Sequence, residues 1–217
     1  TGAASTTFNN SLAITGAATK QITGNRVLNV TGTTTWSGNT GANNNQIEFV
    51  GGTINNTGTW NDQNGFDSFI HHFTGTNTFN NTSIYNKQSN TVTTVEVVYN
   101  NPGTTNVNAG RMRLSGGGTS TGSYNLAAGS TLDLNNGTHN FNAVTLSGAG
   151  VFEISGSASF NFVNLNGGTL GTAVLLSGGR LQGADHTFAG PVTWTGSVIT
   201  GAASTTFNNS LAITGAA

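Results

Sequence analysis

The sequence predicts an all-β protein, and more specifically a right-handed parallel β-helix with about 20 residues in each coil. The first observation behind this prediction is composition. Of the 217 residues, 32 are Gly, 31 are Asn and 37 are Thr. Gly, Asn and Thr rank low in helix propensity, whereas Thr, Val, Ile and Phe suit a half-buried pleated surface. Helices are therefore disfavoured along the whole chain.

The second observation is the spacing of the apolar residues. They come in short alternating bursts between Gly or Asn residues, such as Leu132 with Leu134 and Phe152 with Ile154. Alternation of this kind is typical of strands. Similar phrases recur about 20 residues apart, at 125–126, 144–146 and 163–165. This spacing fits coils whose strands stack about 4.8 Å apart around a narrow core.

The corners between strands should carry residues that tolerate positive φ. Gly and Asn both do so, and an Asn stacked on another Asn can form an amide ladder along the axis. We expect corners at these residues: Gly168, Gly178, Gly179, Asn135 and Asn136.

The third observation is an internal repeat. Residues 1–18 and 200–217 are identical, at an offset of 199. Self-similarity at a fixed period indicates a repeat architecture. We interpret 1–199 as one full tandem repeat and 200–217 as the start of the next, so that Thr200 begins the same coil that Thr1 begins. One repeat would hold about ten coils and advance roughly 48 Å.

A string of small β-sandwich domains is the competing all-β architecture, because its strands come at similar spacing. Domains joined in series usually show linkers and breaks in composition. The sequence has two Pro residues and no such break. The uninterrupted pattern favours a solenoid that continues from one repeat into the next.

Charge and cysteine content exclude several functions. The chain has six basic and seven acidic residues, a net charge of −1 and no Cys. A basic footprint for nucleic acid is therefore missing, and so are disulfides and thiolate metal sites. The longest apolar runs, such as 173–176, are far shorter than the about 20 residues that a membrane span needs. We expect neither nucleic-acid binding, nor a membrane span, nor a cofactor.

Asp133 and Glu153 are candidate site residues, because they lie one coil apart and could be neighbours on one face. They could form an acid and base pair or a calcium site, although two solvated outward positions are the favoured interpretation. An enzyme would instead require Asp133, Glu153 and either Arg113 or Arg180 to converge within about 6 Å in a cleft. We predict no catalytic residues.

The segment 60–90 breaks the rhythm and is expected to bulge from the coil. Within it, Asp62, Asn64 and Asp67 offer oxygen ligands and are weak calcium candidates, with a hydrogen-bonded turn favoured over a metal site. His71 and His72 are adjacent, so on a strand they point to opposite faces and cannot share one ion.

Three Thr-Trp phrases place Trp36, Trp60 and Trp194 in similar contexts. Exposed Trp would stack on sugar rings, whereas buried Trp would fill the core. The alternation favours the core. Exposed Trp in a row would instead indicate a carbohydrate-binding module.

The phrases LAITGAATKQITGNRVLNVTGTTTWSG (12–38) and LSGAGVFEISGSASFNF (146–162) resemble the Gly-, Thr- and Asn-rich repeats of long bacterial surface proteins of the filamentous-haemagglutinin and autotransporter-adhesin kind. The resemblance covers nearly the whole chain. It implies a right-handed β-helix that serves as an extracellular or cell-surface stalk, adhesin or matrix fibre. Copies of the chain, joined end to end or laterally, and surface polysaccharide are the implied partners. A carbohydrate-binding or polysaccharide-degrading β-helix protein is the alternative.

Overall fold

A computed structural model describes residues 4–42, 44, 46–201 and 203–215, and within these ranges the protein is a helix-free solenoid of parallel strands. It has about nine turns at roughly 22 residues per turn. The predicted β-solenoid is confirmed, with coils slightly longer and fewer than predicted. The outermost residues of the duplicated segment, 1–3 and 216–217, lie outside the described residues.

The strands are short, with three exceptions. In chain order they are β1 (Ser5–Phe8), β2 (Ser11–Ile14), β3 (Lys20–Val30), β4 (Thr33–Trp36), β5 (Ile47–Asn56), β6 (Thr59–Asp62), β7 (Ser68–Asn81), β8 (Ile84–Lys87), β9 (Val92–Val95), β10 (Val98–Asn100), β11 (Thr104–Val107), β12 (Arg111–Leu114), β13 (Gly118–Ser120), β14 (Ser123–Leu126), β15 (Thr131–Leu134), β16 (Gly137–Asn142), β17 (Thr145–Gly148), β18 (Val151–Ile154), β19 (Asn161–Asn166), β20 (Thr169–Leu170), β21 (Ala173–Leu176), β22 (Arg180–Gly183), β23 (His186–Phe188), β24 (Val192–Trp194), β25 (Val198–Ile199), β26 (Thr205–Phe207) and β27 (Leu211–Ile213).

The strands stack into three faces, and every pairing between them is parallel. Face B is one ten-stranded sheet that runs from β2 through β4, β6, β8, β11, β14, β17, β20 and β23 to β26. Face A contains the first parts of β3, β5 and β7, followed by β9, β12, β15, β18, β21, β24 and β27. Face C contains β1, the second parts of β3, β5 and β7, and then β10, β13, β16, β19, β22 and β25. The chain passes from face B to face A to face C in each coil.

The three long strands turn the corner from face A to face C, and their pairing shifts register at that corner. Gly51 in β5 and Gly75 in β7 have φ of 75° and 81°, which is the left-handed region that favours glycine. An added Cβ on Gly75 would lie 3.1 Å from the Cα of Gly51 on the preceding coil. Stacked glycines therefore let two coils bend at the same place.

The interior is a continuous apolar column enclosed by the three faces. On face A the inward residues stack coil on coil in the order Ile47, Ile70, Val95, Leu114, Leu134, Ile154, Leu176, Trp194 and Ile213. The aliphatic members from Ile47 to Leu176 are at most 2% exposed. Each coil buries its apolar side chains on those of its neighbours, as a solenoid requires.

Predicted corners and coil phases have mixed outcomes. Gly168 and Gly179 lie between strands with positive φ, and Gly178, Asn135 and Asn136 also lie between strands, so the corners are confirmed. The bulge predicted over 60–90 is found only in part: β6 and β8 pair in register with the coils on either side, whereas the register of β7 against β5 shifts between His72 and Asn77, where β7 has extra residues.

The recurring phrases mislead about phase, and their spacing of about 20 residues falls short of the roughly 22 residues per turn. Residues 125–126 and 145–146 lie on face B, whereas 163–165 lie on face C. Even on face B, Leu146 pairs with Tyr124 rather than with Leu126.

The two copies of the duplicated segment occupy different faces. In the first copy, Ser5–Phe8 pairs with 27–30 on face C and Ser11–Ile14 pairs with β4 on face B. In the second copy, Thr205–Phe207 pairs with β23 on face B and Leu211–Ile213 pairs with β24 on face A. The expectation that Thr200 begins the same coil position as Thr1 therefore conflicts with the placement of the strands that follow each of them.

Candidate functional site

The densest group of charged side chains is an outward stack on face A, which we call the charged stack: Arg111, Arg113, Asp133 and Glu153. The parallel register places Arg113, Asp133 and Glu153 in one column on successive coils. Arg111 Nη1 donates to Asp133 Oδ2 at 2.9 Å and to Glu153 Oε2 at 2.7 Å, and Arg113 Nε donates to Asp133 Oδ2 at 2.8 Å. Two cations thus neutralise two carboxylates.

Serine hydroxyls complete the hydrogen bonding of both carboxylates. Ser155 Oγ donates to Asp133 Oδ1 and Ser177 Oγ donates to Glu153 Oε1, each at 2.6 Å. Burial lowers the pKa of Arg111, but its hydrogen bonds to Glu153 and Asp133 outweigh that effect, and the net shift is upward. The guanidinium therefore stays charged at every accessible pH.

This geometry bears directly on the predicted test for an enzyme. Asp133, Glu153 and Arg113 do stack in one column, as their coil spacing predicts, but both carboxylates are ion-paired and covered, which corrects the favoured interpretation of two solvated positions. The side chain of Asp133 is 0% exposed and that of Glu153 is 11% exposed. A carboxylate that accepts bonds from two guanidinium groups and a hydroxyl is poorly placed to bind a substrate proton. Arg180 lies elsewhere, on face C over the ring of Phe162.

A groove of about 460 Å³ runs beside the charged stack on the same side of the solenoid. We call it the face A groove. Its lining residues are Phe69, Thr94, Glu96, Arg113, Ser115, Asn135, Asn136, Gly156, Ser157 and Phe160. Phe160 is 69% exposed, and Asp133 and Glu153 are absent from the lining. The groove therefore offers an aromatic ring, amides and one guanidinium rather than a carboxylate pair.

Glu96 is the one carboxylate in that groove, and it is already engaged. It contacts His71 Nδ1, and the backbone N–H of His72 donates to it at 3.4 Å. His72 faces a different partner, since its Nδ1 lies 2.7 Å from Asn77 Nδ2. The two histidines diverge, as strand alternation predicts.

Outward asparagines form amide ladders on face B. Asn86 donates to Asn61, Asn106 to Asn86 and Asn125 to Asn106, at 2.8 to 2.9 Å. Face C carries a second ladder of the same kind, composed of Asn29, Asn55, Asn80 and Asn100. The predicted Asn ladders are confirmed as a class, at positions that the sequence alone did not identify.

A third ladder is fully buried. Asn56, Asn81 and Asn101 are each 0% exposed, and each side-chain amide except the last donates to the next at 2.8 Å. The Oδ1 of Asn56 has no hydrogen-bond partner, because the residue before it in the column is Val30. The ladder therefore begins inside the solenoid at Asn56.

The calcium candidates have other partners. Asp62 is 0% exposed and accepts from Thr93 Oγ1 at 2.5 Å and from Asn64 Nδ2 at 3.2 Å, while Asp67 accepts from the backbone N–H of Val92 at 2.8 Å. Within the part of the chain that the structure describes, no three His, Asp or Glu side chains gather as metal ligands would. The geometry fits a hydrogen-bonded turn better than a calcium loop.

Asp62 pairs in register with Lys87 on the next coil, and both point into the core. Burial raises the pKa of Asp62, and the charge of Lys87 opposes that rise. Burial likewise lowers the pKa of Lys87, against the attraction of Asp62 and Asp67. The ammonium group donates to Ser89 Oγ at 2.8 Å and Thr91 Oγ1 at 3.2 Å. This buried pair was not predicted, although the spacing of 25 residues between Asp62 and Lys87 was available in the sequence.

The Trp residues are mainly core side chains. Trp36 and Trp60 are 0% exposed, so the alternative that they stack on sugars is wrong for these two. Trp60 packs against Phe79 and Tyr85 at centroid distances of 5.1 and 6.4 Å. Trp194 is half-buried near the last coil and donates to Ser197 O at 2.7 Å.

Sequence reasoning missed Arg111 and the face A groove. Arg111 lies 22 residues before Asp133, about one coil, so the coil spacing could have found it. The groove depends on a corner at 155–160 that carries Phe160 outward, and corner geometry leaves no comparable signal in the sequence.

Comparison with protein-family models, with curated protein sequences and with solved structures finds no match for this chain. The described residues also contain no long apolar helix of the kind that crosses a membrane.

Proposed function

We propose that this chain is a structural repeat unit of a giant extracellular or cell-surface fibre or adhesin. One observation carries the proposal: the parts of the two identical 18-residue segments that the structure describes, 4–18, 200–201 and 203–215, belong to a single solenoid. Sheets that run from one copy to the other leave no domain boundary between repeats. A tandem array of such units would be one stiff rod.

The end coils support the proposal, since each exposes apolar groups. Ile213 is 70% exposed and Leu211 is 38% exposed. At the other end a mainly apolar cavity of about 220 Å³ is lined in part by Phe8, Leu12 and Ile14. Neighbouring repeats would bury both surfaces, so copies of the same chain, joined end to end, are the proposed partners.

The outer surface supports a structural role as well. The amide ladders and the charged stack satisfy their own polar groups, which stiffens the rod and withdraws the carboxylates from catalysis. We therefore propose that the protein is not an enzyme. The resemblance to bacterial surface proteins supports a location outside the cell or at its surface, where rods could also associate laterally.

Electron microscopy tests the fibre. Native material should appear as filaments, and recombinant arrays of one, two and three units should lengthen by about 45 Å per unit, given about 4.8 Å per coil. Arrays whose particles grow in all dimensions instead of one would overturn the proposal. A composition-matched array with the unit sequence shuffled serves as the control.

The face A groove supports a second candidate function, the binding of a surface polysaccharide. Phe160 is 69% exposed beside Asn135, Asn136 and Arg113, and an aromatic ring flanked by amides suits sugar stacking and hydroxyl recognition. A panel of immobilised polysaccharides tests it. Phe160→Ala should reduce binding at least about five-fold, a loss of roughly 1 kcal/mol, whereas Phe73→Ala, at an equally exposed ring outside the groove, should leave binding unchanged. Equal binding by both variants would rule out the groove, and release of sugar products would favour an enzyme.

A further inference from the structure

We propose that successive repeats in the array are rotated about the solenoid axis by one third of a turn, so that a given face returns to the same side only after three repeats. The inference rests on the proposed tandem array. Its basis is the placement of the duplicated segment on faces C and B in the first copy and on faces B and A in the second.

Both copies are held by regular pairing rather than by loose contact. In the first copy the backbone N–H of Ser37 donates to Ile14 O at 2.9 Å, and in the second the N–H of Thr214 donates to Trp194 O at the same distance. The N–H of Asn208 donates to Phe188 O, also at 2.9 Å. Each copy therefore belongs to a hydrogen-bonded sheet.

The inward and outward residues of the segment are the same in both copies. Phe8 pairs with buried Val30, and its equivalent Phe207 pairs with buried Phe188, with the two rings 5.5 Å apart. The segment has changed face without turning its apolar side chains outward. A change of face therefore preserves its hydrophobic pattern.

Ile14 and its equivalent Ile213 show how two successive repeats would pack where they meet. Ile14 pairs with Trp36 on the coil that follows it, and Ile213 pairs with Trp194 on the coil that precedes it. When a second copy of the chain continues from the shared segment, each such Ile lies between two Trp rings. Trp194 and Ile213, half-buried and exposed in the single chain, both become interior.

The rotation follows from counting coils. Face B has ten strands from the first copy to the second, which is nine steps, and the strand equivalent to β2 lies one face further on, as β27. One period is thus about nine and one third coils, or about 45 Å at 4.8 Å per coil, and three periods span about 134 Å.

The rotation changes how the fibre displays its surface. The charged stack and the face A groove of three consecutive units point in three directions around the rod. A partner of the fibre, including another rod, then finds the same surface on every side. A period with a whole number of coils would place all copies of that surface along one line.

Cysteine pairs in the 217-residue chain test the placement of the second copy, because the protein has no native Cys. Thr193 pairs with Ala212 on face A, and Thr187 pairs with Thr206 on face B. Cα atoms of neighbouring strands lie about 4.8 Å apart, within reach of a disulfide. Asn106→Cys with Asn125→Cys, an internal pair on face B, is the positive control.

Thr193→Cys with Ala212→Cys, and Thr187→Cys with Thr206→Cys, should both oxidise at a rate close to that of the control. Thr187→Cys with Ala212→Cys should oxidise at least about ten times more slowly, because those residues lie on different faces. Rapid oxidation of this last pair would mean that the second copy keeps the faces of the first and would overturn the rotation. Slow oxidation of all three pairs beside a rapid control would overturn it too, since the second copy would then be undocked.

A three-unit array tests the rotation separately from the fibre. Gold labels on a single cysteine per unit, at Asn125→Cys, should appear one on each of three sides of the rod, with successive labels about 45 Å apart along the axis. Rods with all labels on one side would overturn the rotation and leave the fibre intact. Globular arrays would overturn the fibre, while the cysteine pairs would still report the rotation within the single chain.

Discussion

Faces A and B satisfy the polar groups of their stacked outward side chains in different ways. On both faces the parallel register stacks outward side chains at a spacing of one coil, so each column brings similar positions into contact. Face B fills its column with Asn61, Asn86, Asn106 and Asn125, which bond to one another in a single amide ladder. Face A instead uses the charged stack, in which adjacent Asp133 and Glu153 are bridged by Arg111.

The difference shows what a stacked column tolerates. An amide is both donor and acceptor, so it can stack on copies of itself without limit. A carboxylate can only accept, so two of them in one column need cations from outside. Face B should therefore be tolerant of pH and salt, whereas face A should depend on a few charged contacts.

Removal of the bridging cation should have the largest effect. Arg111→Met leaves Asp133 and Glu153 facing each other, and we expect a loss of roughly 3 to 4 kcal/mol in the free energy of unfolding. Urea denaturation measures it. Arg111→Met combined with Glu153→Gln should recover part of the loss, and Arg26→Met, at an exposed arginine, should cost less than about 0.5 kcal/mol. A loss below about 1 kcal/mol for Arg111→Met would mean that the bridge is not needed.

Acid should act next most strongly, through the buried imidazole of His139. His139 is buried on face C, its Nε2 lies 2.9 Å from Asn136 O, and burial lowers its pKa from 6.5 to about 4. Because the pKa of His139 is lower in the folded state, the stability that the neutral imidazole contributes is fully present above pH 6.5. It is lost as the pH falls from about 6.5 towards about 4, and the loss in the free energy of unfolding amounts to roughly 3 kcal/mol near pH 4.

His139→Gln isolates that contribution, since the amide can keep the bond to the Asn136 carbonyl. The difference in unfolding free energy between the wild type and the variant should shrink by that amount across the same range of pH. A difference that stays constant with pH would show that His139 does not cause the acid sensitivity.

The amide ladder should give a smaller effect. Asn106→Ala removes the bond that Asn106 donates to Asn86 and the bond that it accepts from Asn125, both 2.8 Å. Each is worth about 1 kcal/mol, so we expect a loss of about 1 to 2 kcal/mol by urea denaturation. Ser147→Ala, which removes only the single bond at the end of the ladder, should lose about half as much. Equal losses would contradict a ladder of independent bonds.

Salt should have the smallest effect on stability, and its effect should differ between face A and face B. Between about 0.1 M and 1 M NaCl, the cost of Arg111→Met should fall by roughly 0.5 to 1 kcal/mol, because the bridge is about one third exposed to screening ions. The cost of Asn106→Ala should stay the same. Parallel changes for the two variants would mean that salt acts on the whole solenoid rather than on face A.

Much of the fold could be predicted from the sequence. Alternation in Leu132 with Leu134 and Phe152 with Ile154 gave strands with the correct inward side chains. Coil spacing also placed Asp133 beside Glu153. The candidate site could be predicted only in part. Ion pairing with Arg111 and covering by Ser155 depend on side-chain directions between columns, and the face A groove depends on the corner that carries Phe160.

The duplicated segment marks the boundary between what the sequence determines and what the tertiary structure decides. The sequence by itself determined that the segment is repeated at an offset of 199 residues, with the same apolar residues, Phe8 and Ile14 or Phe207 and Ile213, in each copy. Only the tertiary structure decided which faces those strands join. Coils are held together by backbone hydrogen bonds that any residue except Pro can make, and by apolar columns that accept one another's side chains. The face that a strand joins is therefore set by the accumulated length of the preceding coils and not by the local sequence.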